Sequence, residues 1–262
     1  MDLFKKFYQY SISIISLGGY VRLLQYFLFQ HYKFKVIKKN KELIERKKAD
    51  VCYICALGPS LKSVDLAKIK GDTLVVNHFY KMKERNPDFV PTYYLMYDPG
   101  FATSHRSALN DAIDIYGGKG TTFLLNSQFS KLSLCNSSIY YISAFKGFFS
   151  GQNYSIDKPM PSFPNVVGVA IGTVMGMGYK KIVLLGCDFN SFASPVSNHC
   201  YEEKDNSRRI KLWYELYRYS IVAYGHEEIS SYAKKNKIEI VNSTKGSLID
   251  SYPFQIDESI YK

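Results

Sequence analysis

The sequence lacks the fingerprints of several nucleotide-using folds. It has no Gly-x-Gly-x-x-Gly, which excludes the usual dinucleotide turn. It has no Gly-x-x-x-x-Gly-Lys-Ser/Thr, which excludes a phosphate loop of ATPase type. No Asp-x-Asp pair occurs, so the usual metal grip of many sugar-nucleotide transferases is missing, and a metal-free chemistry is expected. Cysteine is scarce and odd in number, five in 262 residues, which does not make a disulfide scaffold. Cys52 and Cys55 form a Cys-x-x-Cys, but a strand points residues three apart to opposite faces. No second such pair or paired histidine completes a zinc site. They read as small core residues in a reducing, cytoplasmic setting.

An unbroken spanning segment is also lacking. Residues 7–30 are apolar, but Gly18, Gly19 and Arg22 interrupt them, and a spanning helix needs about 20 predominantly apolar residues. No small-residue cleavage site of signal-peptide type follows. Residues 1–48 instead hold eleven Lys and Arg against three acidic residues, a net +8 of the chain's +11. Only +3 remains for the other 214 residues. Nucleic-acid binding needs a basic stripe on the folded domain, and none is left over for one, so no nucleic-acid partner is expected. A local basic cluster beside an apolar stretch points to an anionic lipid surface. The competing reading is a helix packed on the domain or on a second subunit, so a homo-oligomer stays open. The expected organisation is a membrane-associating segment, 1–49, and one catalytic domain, 50–262. The expected place is peripheral, on the cytoplasmic face of a bacterial inner membrane.

What is present is aromatic and apolar: 23 Tyr, 17 Phe and 46% hydrophobic residues. That is enough to bury a sizeable core. Tyrosine, a ring with a polar tip, suits sugar and nucleotide clefts and membrane interfaces; coding bias in an AT-rich genome would give the same excess. From residue 50 short apolar runs alternate with helical patterns. Strands are expected from Asp50, at Thr73–Val76, Thr92–Tyr97, Thr121–Leu125, Ile139–Ile142, Ile182–Gly186 and Ile238–Val241. Helices are expected over 165–178, which is small and apolar, and over 208–235. This alternation predicts an α/β, Rossmann-like fold: a mostly parallel sheet covered on both faces.

Ligands of such sheets sit at the carboxyl ends of the strands. Ser60, Asn77, Asp98 and Asp188 each follow a strand end, so together they mark a cleft at one edge. Each residue type also serves in turns and helix caps, and Asp98, before Pro99–Gly100, has the plainest turn context. The turn Gly58–Pro59–Ser60 opens a helix and offers backbone N–H groups and a hydroxyl to a phosphate. Residues 190–209 are polar and aperiodic, and read as a lid carrying His199 and Tyr201.

These pieces resemble the bacterial sialyltransferases that decorate lipooligosaccharide, a Rossmann-like family using CMP-sialic acid without metal. The matching residues are Gly58–Pro59–Ser60–Leu61, Asn77–His78–Phe79–Tyr80, Tyr97–Asp98–Pro99–Gly100–Phe101, Gly168 through Phe189, Lys237–Ile238 and Gly246–Ser247–Leu248. The resemblance implies that Gly58 and Ser60 lie against the donor phosphate, that Asn77 binds the nucleotide, and that His78 lies beside it. It also implies donor and acceptor recognition just before Gly168. There this chain has Asn165–Val166–Val167, where the family carries an arginine and hydroxyl residues. Asn190 replaces a family tyrosine, and Leu57 a family asparagine. In the family a lid histidine acts as base and lid tyrosines hold the phosphate, which here gives His199 as base, or alternatively as a phosphate ligand, and Tyr201 on the phosphate. His226, in the long helix, is the second candidate, and Asp188 the fallback. The implied reaction moves sialic acid, or a related nonulosonic acid, from a CMP-sugar to a glycan or lipid-linked glycan with inversion. The donor is a substrate, and no cofactor is required. The alternatives are a pyrophosphate-transferring enzyme of pterin metabolism and a non-catalytic, membrane-associated assembly protein.

Overall fold

The structure, a computed structural model, describes residues 35–134, 138–145, 153–161, 163–194, 199–202 and 210–261. The apolar segment 7–30 lies outside the described residues, as do 195–198 and 203–209 of the expected lid. Among the described residues no helix is long and apolar enough to cross a membrane.

Seven strands form one sheet. They are β1 (Val51–Cys55), β2 (Asp72–Val76), β3 (Tyr93–Met96), β4 (Thr122–Asn126), β5 (Ile139–Ile142), β8 (Lys181–Leu185) and β9 (Glu239–Asn242). The order is β5-β4-β3-β2-β1-β8-β9, and every pairing is parallel. All seven match the expected strands to within a residue or so at each end. Two two-residue strands that the sequence pattern does not announce, β6 (Ala144–Phe145) and β7 (Met160–Pro161), pair separately.

Buried on both faces, the strands read as continuous apolar runs rather than alternations. Ile54, Leu74, Leu95, Leu124 and Leu184 point to one core; Cys55, Val75, Tyr94, Phe123 and Leu185 point to the other. Cys52 and Cys55 fall in different cores, as residues three apart in a strand must. The first face is covered by α3 (Val166–Gly176) and the second half of α4 (Leu212–Lys235). The second face is covered by α2 (Arg106–Tyr116), through Ala108, Leu109, Ala112 and Tyr116, and by the turns after β1 to β4. In α3 the small residues admit close approach of the preceding chain. A Cβ on Gly176 would stand 2.2 Å from the Tyr154 carbonyl oxygen, and one on Gly168 2.7 Å from the Phe163 ring.

The boundary expected at residue 49 falls inside the packed body. A 3-10 turn, Lys38–Lys41, and one turn of helix, α1 (Glu42–Glu45), bury Ile37, Asn40 and Leu43 completely. The Asn40 amide donates to the Tyr141 and Ile156 carbonyls at 2.7 and 3.0 Å. Lys48 and Ala49 donate their backbone N–H groups to buried Asp72, at 2.8 and 3.0 Å, and the Tyr179 hydroxyl donates to the same oxygen. The lysines of this stretch face outward, while every third or fourth residue is core. These residues are the first layer of the domain.

Candidate active site

The chain runs outward from β1 to β5 and then returns to place β8 on the other side of β1. The loops leaving β1 and β8 therefore diverge at a topological switch point, where open parallel sheets hold their ligands. Here the two loops are tied together. Gly58 N–H donates to the Gly186 carbonyl at 2.8 Å. Ser60 donates its N–H to Asp188 Oδ1 at 3.1 Å and its hydroxyl to Oδ2 at 2.7 Å. Gly58 needs no unusual backbone angle, but a Cβ there would lie 1.9 Å from Asp188 Oδ2 and 2.6 Å from the Gly186 carbonyl. Both donors of Ser60, expected to face a phosphate, thus face Asp188. Burial raises the Asp188 carboxyl above the usual carboxylate range, while the Ser60 bonds pull it back down.

The loop after β9 braces this corner from below. Thr244 Oγ1 accepts from Cys187 N–H at 3.1 Å, Ser247 donates to the Cys187 carbonyl at 2.6 Å, and Leu248 N–H donates to the Asp188 carbonyl at 2.9 Å. Asn242 donates to Ser247 and to the Ile249 carbonyl. Asn242, Ser243, Thr244 and Ser247 are all buried, so this network is a paid-up set of hydrogen bonds, not open binding groups. Phe189, next along, has φ +57, a conformation that costs a phenylalanine about 1–3 kcal/mol and is concentrated at functional corners.

The second wall is the exit of β2. Asn77 has φ +46, and its amide oxygen is buried with no hydrogen-bond partner among the described residues. Tyr94, from β3, holds this turn: its hydroxyl accepts from Tyr80 N–H and donates to the Asn77 carbonyl, both at 2.8 Å. Sequence reading missed Tyr94, because a strand tyrosine looks like any core aromatic. His78 lies in an aromatic cluster, 5.0 Å from Phe101, 6.0 Å from His105 and 6.2 Å from Tyr201, ring centre to ring centre.

Residues 199–202 cross over the exit of β1. Cys200 is buried and donates its N–H to the Leu57 carbonyl at 2.9 Å. That bond sets its neighbours at the cleft. The His199 ring stacks on Tyr201 at 5.0 Å and 12°, and Lys81 Nζ lies 4.4 Å from the Tyr201 ring centre. The structure thus joins Gly58, Ser60, Asp188, His199, Tyr201, His78 and Asn77 into one rim across β8, β1 and β2.

The remaining sequence candidates sit apart or do local work. Asp98 is exposed and accepts from Gly100 N–H at 2.8 Å, capping its own turn. Asn165 caps α3 by accepting from Gly168 N–H at 2.9 Å, and Gly168 makes room for Phe163. Because α3 precedes β8, this cap lies toward the carboxyl edge. Asn190 opens the 3-10 turn Ser191–Ala193 through its carbonyl, without a side-chain cap. His226 is 1% exposed. Its Nδ1 is 2.9 Å from the Tyr252 hydroxyl, and its ring meets Phe189 edge-on at 6.0 Å. Burial pushes it down to about 4, so it is neutral near pH 7, behind the Phe189 corner instead of on the rim.

No family model matches the sequence, and no curated protein matches it. Among solved structures the chain is similar to the monofunctional alpha-2,3-sialyltransferase Cst-I from Campylobacter jejuni, with a TM-score of 0.50 and 12% identity over 82% of this chain and 83% of that one. It is also similar to the sialyltransferase CstII from the same organism in complex with cytidine-5'-monophosphate, with a TM-score of 0.49 and 13% identity over 82% and 88% of the two chains. At 12% identity, the similarity to Cst-I is one of fold: a Rossmann-like α/β sheet.

Proposed function

We propose that the chain is a glycosyltransferase that moves sialic acid, or a related nonulosonic acid, from a CMP-sugar to a lipopolysaccharide or capsule glycan. The observation that carries this reading is the single rim at the switch point, where Asn77, His78, His199 and Tyr201 meet the interlocked Gly58–Ser60 and Asp188 loops. The fold it shares with an alpha-2,3-sialyltransferase adds support.

In the proposed step an acceptor hydroxyl oxygen bonds to the anomeric carbon. The bond from that carbon to the phosphate oxygen breaks, and CMP leaves with the electron pair. His199 takes the hydroxyl proton. Because Ser60 is committed to Asp188, the leaving phosphate is assigned to the Tyr201 hydroxyl and to Lys81 beside it. Asn77 is assigned to the nucleotide. No metal has a role in this scheme, in keeping with the missing Asp-x-Asp pair. The protein is placed peripherally at the cytoplasmic face of a bacterial inner membrane through residues 1–34, near a lipid-linked acceptor.

The test is a thermal-shift panel of CMP, UDP, GDP and ATP, each with and without EDTA. Stabilisation by CMP that survives the chelator supports the reading. A preference for UDP, or loss of the shift with EDTA, overturns it.

A further inference from the structure

Helix α4 is built as two different halves. Its second half buries Val222, His226, Ile229 and Ala233 in the core. Its first two turns do the reverse. Leu212, Trp213, Tyr214, Leu216 and Tyr217 are 48, 68, 45, 43 and 55% exposed, and Ile210, just before the helix, is 41% exposed. Five of the six residues from 212 to 217 are large and apolar. A helix apolar all round is normally covered by something, and a contiguous exposed patch of this kind marks an interaction surface.

Its chemistry selects the cover. The aromatic residues are Trp and Tyr, rings with a polar tip, which settle at the headgroup level of bilayers. Residues 208–220 contain Arg208, Arg209, Lys211 and Arg218 against Glu215 alone. A second copy of this face would set Lys211 and Arg218 against their equals. The chain's own residues 1–34 are cationic too, with Lys5, Lys6, Arg22 and Lys33 against Asp2. An anionic lipid surface is complementary to both the apolar and the charged part.

We propose that the first turns of α4 are a lipid-contact surface, with Trp213, Tyr214 and Tyr217 seated among the headgroups of an anionic bilayer. This contact is separate from residues 1–34 and does not depend on the transferase reading. It also bears on the site. One turn further on, Tyr219 packs on Phe189 at 4.5 Å and on Phe192 at 5.0 Å, and shares a hydrogen bond with Ser191. A bilayer held by α4 therefore lies beside the loop that leaves β8.

Trp213 is the single tryptophan of the chain, so the full-length protein carries its own probe. Its emission is expected to shift to the blue on phosphatidylglycerol-containing vesicles, not on pure phosphatidylcholine, and to be quenched by brominated lipid. Leu216→Glu with Tyr217→Glu, both at exposed positions, is expected to weaken vesicle binding about tenfold and to leave the melting temperature unchanged. Cosedimentation with unchanged Trp213 emission would assign binding to the N-terminal segment alone and overturn the proposal. So would a blue shift that grows with protein concentration without lipid, which would mean a second copy covers the face. Failure to bind any vesicle also overturns it, whatever the nucleotide panel reports.

Discussion

Ser60 and Asp188, 128 residues apart, are joined by two hydrogen bonds that close the loops of β1 and β8 on each other. The bond geometry leaves no room at Gly58 for even a methyl group, and one of the atoms in the way is the Gly186 backbone oxygen. Gly58→Ala must therefore push the two loops apart. It is expected to cost about 1–3 kcal/mol and to abolish the thermal shift with CMP. Asp188→Asn leaves the room but weakens the acceptor, and is expected to cost about 1–3 kcal/mol. Urea denaturation gives both costs. A Gly58→Ala protein as stable as the parent would show that the loops are not locked at this point.

His199 is held at the rim by the Cys200–Leu57 bond and its stack on Tyr201. If it takes the acceptor proton, His199→Ala should lower kcat about 100- to 10,000-fold while CMP affinity stays within a few-fold. Tyr201→Phe keeps the stack and removes only the hydroxyl, so it should preserve stability and lower kcat. Equal loss of CMP affinity and kcat in His199→Ala would mean that this histidine binds the nucleotide and the base lies elsewhere.

The seven strands were legible because each is a short apolar run closed by a turn residue; of the four polar residues that follow strand ends, Ser60, Asn77 and Asp188 meet on the rim, whereas Asp98 caps its own turn. What the residues do there was less legible. Ser60 and Asp188 both stood out, yet as a phosphate ligand and a fallback base. Only the β1–β8 adjacency makes them partners, and no local pattern encodes that adjacency. Asn165 and Asp98 stood out for side chains that the structure spends on caps. Tyr94 and Asn242, which hold the rim in place, were hidden because a strand tyrosine and a strand-end asparagine are common for other reasons. Ile37, Asn40 and Leu43 were masked by the lysines around them.

Those three residues change what a truncation should do. Removing 1–34 leaves Ile37, Asn40 and Leu43 in place, so the shortened protein should keep a cooperative melt. Removing 1–48 takes away two fully buried apolar side chains, the donors to Tyr141 and Ile156, and the Lys48 bond to Asp72. One buried leucine truncated to alanine costs about 2–5 kcal/mol, against a whole-domain stability of about 5–15 kcal/mol. The longer deletion should lower Tm by more than about 10 °C or prevent folding. Matching melts for the two truncations would return 35–48 to the role of a tether.

His226 gives the stability a pH dependence of known sign. Its folded-state value is about 4, lowered by burial, whereas an unfolded histidine titrates near 6.5. Between these values the unfolded chain binds the extra proton and the folded chain does not. Stability is therefore intact above about pH 6.5, falls as the pH drops toward 4, and loses nothing more from this group below that. The difference corresponds to about 3 kcal/mol at most. His226→Gln keeps a polar partner for Tyr252 and cannot take up a proton. Its stability at pH 7 should be lower than the parent's, because the buried Tyr252 contact is perturbed, but it should fall less steeply between pH 6.5 and 4.5. Urea midpoints at four or five pH values in that window decide the matter. Parallel slopes for parent and variant would place the acid sensitivity in carboxylates held below their ordinary range, such as Asp157 with its Ser155 hydrogen bond, and remove His226 from the account.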